Sequence, residues 1–258
     1  MNEVVECFSS EERSCAYKKK LTKGDFNLCI KEKEDQSLCE IFQQFNGKLG
    51  WGVKSAPIYS YVFAYLSQYN HRPSKRVYEV LLHALVYIQK RPHIMIFRKV
   101  KGGFKMRIWS DASYCRKLRL GHFGYVVQFV SVLDVIEDVC EKSWINVVDF
   151  KSKKTPQKVR STASAEFHGL EEAVVNSFKY VNIFEKLHMS VQVEFVIDSS
   201  ALRDQLKNKW MQTEYELQPQ LDYIVERLDK MKASVHLVST EYMLADDLTK
   251  FIPRLCSE

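Results

Sequence analysis

Four carboxylates in the second half of the chain lie far apart in sequence but share a setting. Each sits at the end of a strand-like run or the start of a helix-like one. Asp111 follows the β-rich run KMRIWS (105–110). Glu166 lies in the first turns of a long helical stretch that opens at Ser161 or Thr162. Asp198 ends VQVEFVID (191–198), and Asp246 lies in the first turns of a last helix, within LADDLTK. Carboxylates on neighbouring strand ends and helix starts can converge at one edge of a sheet. Such a group, with little else around it, binds hard divalent cations such as Mg²⁺ or Mn²⁺. Two ions ~3.5–4 Å apart can activate a water and stabilise the leaving oxygen in phosphodiester cleavage. Without a cation, acids packed together repel one another. Taken singly, each acid has a plainer role: an Asp after a strand forms turns, and an acid in a helix's first turn complements the dipole. Spacing alone does not choose between these readings.

The elements that must position the acids can be read from periodicity. KMRIWS, GYVVQFV (124–130) and WINVVDF (144–150) are β-rich, and SKKTPQK (152–158) reads as a basic loop. The long helix runs to about Leu187. After the strand at 191–198 come helices at about 200–209 and 214–232, a strand SVHLVS (234–239), and a helix from about Glu241 to Phe251. Three early strands can form an antiparallel meander, and the later alternation adds parallel strands. The expected fold is α/β, a mixed five-stranded sheet with helices on both faces.

Upstream the pattern is helical. Tyr59, Val62, Phe63, Tyr65 and Leu66 fall at helical spacing over Pro57–Tyr69. A second amphipathic helix spans Ser74–Lys90, with Ser74 as cap and Pro92 as its stop. HIMIFRK (93–99) reads as a strand, and Gly102-Gly103 as a turn. Residues 1–35 read as a poorly ordered lead-in, 36–103 as a small helical segment and 104–258 as the catalytic-type domain.

Bulk properties narrow the class. The 258 residues are 46% hydrophobic, 12% aromatic and 27% charged, enough for a sizeable core in one or two domains. A net charge of +6 is compatible with a polyanionic partner without demanding one. Seven scattered cysteines (Cys7, Cys15, Cys29, Cys39, Cys115, Cys140 and Cys256) include no C-x-x-C pair, which argues against zinc and for reduced thiols. The polar start is unlike a signal peptide, and no apolar run reaches the ~18 residues of a membrane span. A soluble protein of the cytoplasm or nucleus, with no membrane partner, is expected.

Four ordered motifs carry a family resemblance: WSDASY (109–114), RSTASAEFHGL (160–170), VIDSSALRDQL (196–206) and VSTEYMLADDLTK (238–250). Together they resemble the RNase H domain of copia-type LTR retrotransposons, similar to those of yeast Ty elements. LADDLTK with its upstream V-x-T-E is the most specific. FKSKKTP (150–156) resembles the stretch that precedes the glutamate motif. Residues 50–89 are similar to the helical end of the same elements' reverse transcriptase, so the likeness covers about residues 40–252.

The resemblance implies an RNase H-like fold and a metal-binding, catalytic set of Asp111, Glu166, Asp198 and Asp246. The implied activity is hydrolysis of the RNA strand of RNA–DNA hybrids with two Mg²⁺ (or Mn²⁺) ions, beside a separate reverse transcriptase chain as partner. Asp246 rather than Asp247 matches the family position, and a one-residue slip on a helix would turn the carboxylate by ~100°. Lys151, Lys153, Lys154, Lys158, Arg160, Arg116 and Lys117 are the expected contacts to nucleic-acid phosphates. Trp109 and Tyr114 could stack on bases, with Trp109 read rather as core. His122, His168 and His236 are read as structural.

Three departures stand out. No Y-x-D-D polymerase motif occurs, the connection over 130–143 is longer than in the family, and Gln218 and Gln220 fall where a histidine is common. The alternatives that remain open are a non-catalytic nucleic-acid-binding or interaction module and a decayed element fragment.

Overall fold

The computed structural model describes residues 32–90, 95–115, 119–136, 143–211 and 214–250. Of these, 32–90 with Lys250 belong to one compact unit and 95–249 to another.

The first unit is helical. Helix α1 (Cys39–Val53) follows a 3₁₀ turn capped by Asp35. Helix α2 (Ser60–Leu66) lies between two further 3₁₀ turns, and α3 is Lys75–Lys90. The Ser74 hydroxyl caps α3 by accepting the Val77 amide at 3.2 Å, as its position before an amphipathic run implies. Helix α1 was not expected from periodicity. Gly47, Gly50 and Gly52 depress its helical signal, and the Phe63 ring packs on the bare Gly50, where a Cβ would lie 2.8 Å from the ring. Phe42, Leu49, Leu66, Leu81 and Leu85 fill the core of this unit.

The second unit is the expected mixed five-stranded sheet, but its described helices lie on one face rather than on both. Its strands are β1 (Phe104–Cys115), β2 (Leu120–Ser131), β3 (Val147–Lys158), β4 (Gln192–Ile197) and β5 (Ser234–Leu237), in the order β3-β2-β1-β4-β5. The β1–β2 and β2–β3 pairs are antiparallel, and β4 and β5 add in parallel. Helices α4 (Thr162–Lys186), α5 (Ser200–Asn208) and α6 (Gln218–Met231) cover one face. There Met106, Ile108, Tyr125, Val127, Phe195 and Ile197 pack against Phe167, Leu170, Leu202 and Leu221. The alternate residues of β1 and β2 face the other side, where the 3₁₀ turn Leu244–Leu248 crosses Gly124. No helix among the described residues is long and apolar enough to cross a membrane.

Four further expectations are corrected. Strand β1 runs past KMRIWS to Cys115, so Asp111 lies inside the strand, opposite Gly124, rather than after it. The basic segment 152–158 is not a loop but the second half of β3. Its Pro156 falls inside a register shift on an edge strand, where no ladder hydrogen bond is lost. The last helix is replaced by 3₁₀ turns at Thr240–Tyr242 and Leu244–Leu248, because the segment is seated on the sheet through its carbonyls. The strand expected at 93–99 is, over 95–99, a single bridge from Ile96 to Ile145. Asn146 ends it with a left-handed backbone (φ 53°) and a side chain that accepts the Arg98 amide. Part of the long connection at 130–143 is described. It is tied down by the Gln128 amide, which donates to the Ser143 and Ile145 carbonyls.

Candidate metal centre

Strand β1 supplies the centre of the site. Pairing with β2 fixes its backbone through Trp109–Asp111, and β4 pairs with it on the other side as far as Trp109. It leaves Asp111 only 1% exposed. Helix α4 supplies Glu166. Ser161 starts the helix by accepting the Ser164 amide at 2.9 Å. Gly169 then lets the helix lie close on the sheet, where a Cβ would meet the Asp111 carbonyl at 3.2 Å. One helical turn before that contact, Glu166 is 8% exposed, and its Oε2 accepts the Ala112 amide at 3.1 Å. Asp198 follows β4 directly, and Ser199 caps α5 behind it.

These three carboxylates meet. Asp111, Glu166 and Asp198 each offer one oxygen, and the three oxygens lie within 4.8 Å of one another. They are hard oxygen donors, two of them buried and one half-buried, and so they fit a divalent cation of the Mg²⁺ or Mn²⁺ type. Mutual repulsion at this spacing is roughly 3 kcal/mol per pair at an effective dielectric constant near 20. A bound cation would offset that repulsion.

Asp246 is not in the three-carboxylate group. It is half-buried in the turn Leu244–Leu248, whereas Asp247 beside it is buried and its Oδ2 accepts the Trp144 indole N–H at 3.4 Å. The turn itself is held by the sheet. The Ser152 hydroxyl donates to the Leu248 carbonyl at 2.6 Å, and the Ser113 hydroxyl donates to the Thr249 carbonyl at 2.8 Å. A Cβ on Gly124 would lie 2.5 Å from the Leu248 Cβ. Gly124→Ala is therefore expected to push the turn off the sheet and destabilise the unit by about 1–3 kcal/mol, the usual range for overpacking. Urea unfolding measures this, and an unchanged midpoint would refute the contact.

The histidines stand outside the carboxylate group. His122 is half-buried, with Nε2 2.7 Å from the Ser152 hydroxyl. Burial, reinforced by the facing Lys154, pushes its imidazole down to about 3, so it is neutral near pH 7. His168 lies 3.3 Å from Glu171, and His236 lies 2.8 Å from the Ser234 hydroxyl.

The basic residues divide by surroundings. Lys151 pairs with Glu172 at 2.8 Å, and Arg160 is ion-paired to Glu216. Lys153 and Lys158 are exposed along β3, and Lys154 is half-buried on the side of His122. Arg116 and Lys117 lie outside the described residues. Trp109 is buried, its indole donating to Gln128 at 2.6 Å, as expected of a core residue. Tyr114 packs beside Ala112 and Phe123, with its hydroxyl on the Arg160 carbonyl. Gln218 accepts the Met211 amide and donates to the Lys209 carbonyl, which is a structural bracing role.

Sequence reasoning missed two residues that touch the acids. The Thr240 hydroxyl donates to Asp198 Oδ2 at 2.7 Å, and the Thr249 hydroxyl donates to Asp111 Oδ2. Both threonines belong to the last motif, which was the available signal.

No protein-family model matches the chain, and no curated protein matches it. Solved structures with a similar arrangement include three RNases H. The N-terminal RNase H domain of a Mycobacterium tuberculosis protein is 13% identical and has a TM-score of 0.42, over 57% of this chain and 91% of that one. RNase H1 from Halobacterium salinarum is 15% identical with a TM-score of 0.38, over 56% and 93%. An RNase H1 isolated from compost, solved with an RNA/DNA hybrid, is 15% identical with a TM-score of 0.39, over 56% and 93%.

Proposed function

We propose that the chain is an RNase H-type nuclease that hydrolyses the RNA strand of RNA–DNA hybrids, derived from a copia-type retrotransposon polyprotein and working in the cytoplasm or nucleus. The observation that carries this reading is the convergence of Asp111, Glu166 and Asp198 from three separate elements.

Asp111, Glu166 and Asp198 would hold Mg²⁺ or Mn²⁺, with the half-exposed Asp246 as the fourth acid. When bound, two such ions supply water activation and stabilisation of the leaving oxygen. The chain's own residues do the rest. The Ala112 amide fixes the Glu166 carboxylate, and the two threonine hydroxyls hold Asp198 and Asp111. The burial of Asp247 under Trp144 supports Asp246 as the acid that faces the site. Lys153 and Lys158 are exposed for contact with phosphates. At Lys151 and Arg160 a phosphate would have to displace a carboxylate.

The test is a labelled RNA–DNA hybrid incubated with the full chain in Mg²⁺, with and without EDTA, beside a binding titration. RNA-strand cleavage that EDTA abolishes is expected. Binding of the hybrid with no cleavage in Mg²⁺ or Mn²⁺ would instead establish a non-catalytic module.

A further inference from the structure

Thr240 and Thr249 open and close the segment that carries Asp246. They reach two different acids on two neighbouring strands. Thr240, which is exposed, donates to Asp198 just past β4 at 2.7 Å. Thr249, which is fully buried, donates to Asp111 inside β1. Strands β1 and β4 are adjacent and parallel, so the two acids lie at the same end of the sheet. An aspartate carboxylate turns freely about χ2 unless something grips it. A hydroxyl donor on one oxygen fixes the plane and orients the other oxygen.

The segment itself is anchored independently of the threonine hydroxyls. Ser152 holds the Leu248 carbonyl, Ser113 holds the Thr249 carbonyl, and the Val238 amide donates to the Ile197 carbonyl at 2.9 Å. Gly124 lets the turn lie against the strand. The threonines therefore stand on a base held by other groups; the Thr249 hydroxyl, shared with the more distant Asp246 carbonyl at 3.2 Å, makes its shorter contact with Asp111.

We infer that Thr240 and Thr249 are positioning residues of the metal centre, setting the carboxylates of Asp198 and Asp111 in the orientation that receives a divalent cation. The inference rests on the metal-centre reading above. Hydrogen-bond partners of metal-binding carboxylates typically set affinity by ~10–100-fold.

The experiment uses the full chain with Mn²⁺ alone as probe, bound Mn²⁺ being followed by electron paramagnetic resonance. The variants are Thr240→Val, Thr240→Ser, Thr249→Val and Thr249→Ser, and hybrid cleavage is measured beside binding. Each valine variant should bind Mn²⁺ about tenfold or more weakly. Each serine variant, which keeps the hydroxyl, should restore affinity to within roughly threefold, an amount worth about 0.7 kcal/mol. Thr240 is exposed, so Thr240→Val should melt with the wild type, which separates positioning from a structural role and stands even if Thr249→Val fails to fold. Wild-type affinity in Thr240→Val overturns the inference, as does a serine variant as weak as its valine counterpart. A wild-type chain that binds no Mn²⁺ overturns both the inference and the metal centre. A chain that binds Mn²⁺ with the expected Val/Ser pattern but cuts no hybrid upholds the inference and refutes the nuclease.

Discussion

Asp198→Asn is expected to lower hybrid cleavage by about a thousandfold or more, the scale seen when a member of a concerted catalytic set is removed. The amide keeps the size of the carboxylate and still offers an oxygen to the Thr240 hydroxyl. The fold should therefore survive. The sign of the stability change is itself diagnostic. Three acids with oxygens within 4.8 Å repel one another when no cation is present. Removing one charge relieves part of that repulsion, so in EDTA the variant should melt at the wild-type temperature or above it. Single-turnover cleavage and thermal unfolding measure the two halves. A variant that cuts at the wild-type rate would sink the nuclease reading.

The largest effect on stability is expected away from the site. On the face opposite the three helices, Lys105 and Arg107 of β1 are 5% and 3% exposed. Glu194 of β4 takes both: Lys105 Nζ at 2.6 Å and Arg107 Nε at 3.1 Å. Arg107 also donates to the Asp134 carbonyl at 2.7 Å, which ties in the long connection after β2. Glu194→Leu leaves two buried cations without a counter-charge, and breaking a buried pair in this way costs about 3–5 kcal/mol. Chemical denaturation should show a correspondingly lower midpoint. Replacing all three residues by apolar ones of similar volume should recover most of the loss, because the penalty comes from unpaired charge rather than from a large net gain of the intact cluster. A single Glu194→Leu variant as stable as the wild type would contradict the burial of these charges.

The legibility of the fold followed the strength of local signals. Helix α4 was readable because Ser161 caps it and apolar residues recur at helical spacing. Strand β4 was readable because it is short and rich in valine. By contrast, Ser110–Tyr114 is small and polar, and its strand state is imposed by pairing with β2. Residues 152–158 have the lysines and proline of a loop, and only an edge position lets them be strand. The segment 241–251 has helical spacing, but contacts with Ser113, Ser152 and Gly124 hold its described part in 3₁₀ turns. Asp111, Glu166 and Asp198 were gathered in the sequence by the likeness of their ordered motifs to one family, because element ends alone could not bring together acids of which one lies inside β1. The threonine grips were not, since they join residues 42 and 138 positions apart.

The lysine-rich half of β3 has one more consequence. A twelve-residue strand at the margin of a sheet presents unpaired amides and carbonyls that another chain could zip onto. Lys153 and Lys158 put charge along that margin, and Pro156 removes a donor from it. The residues proposed to meet phosphates thus also place on that margin the charge that discourages edge-to-edge pairing. Charge-neutral variants made to probe hybrid binding should therefore be checked by light scattering, because a fall in binding and a rise in aggregation would share one cause.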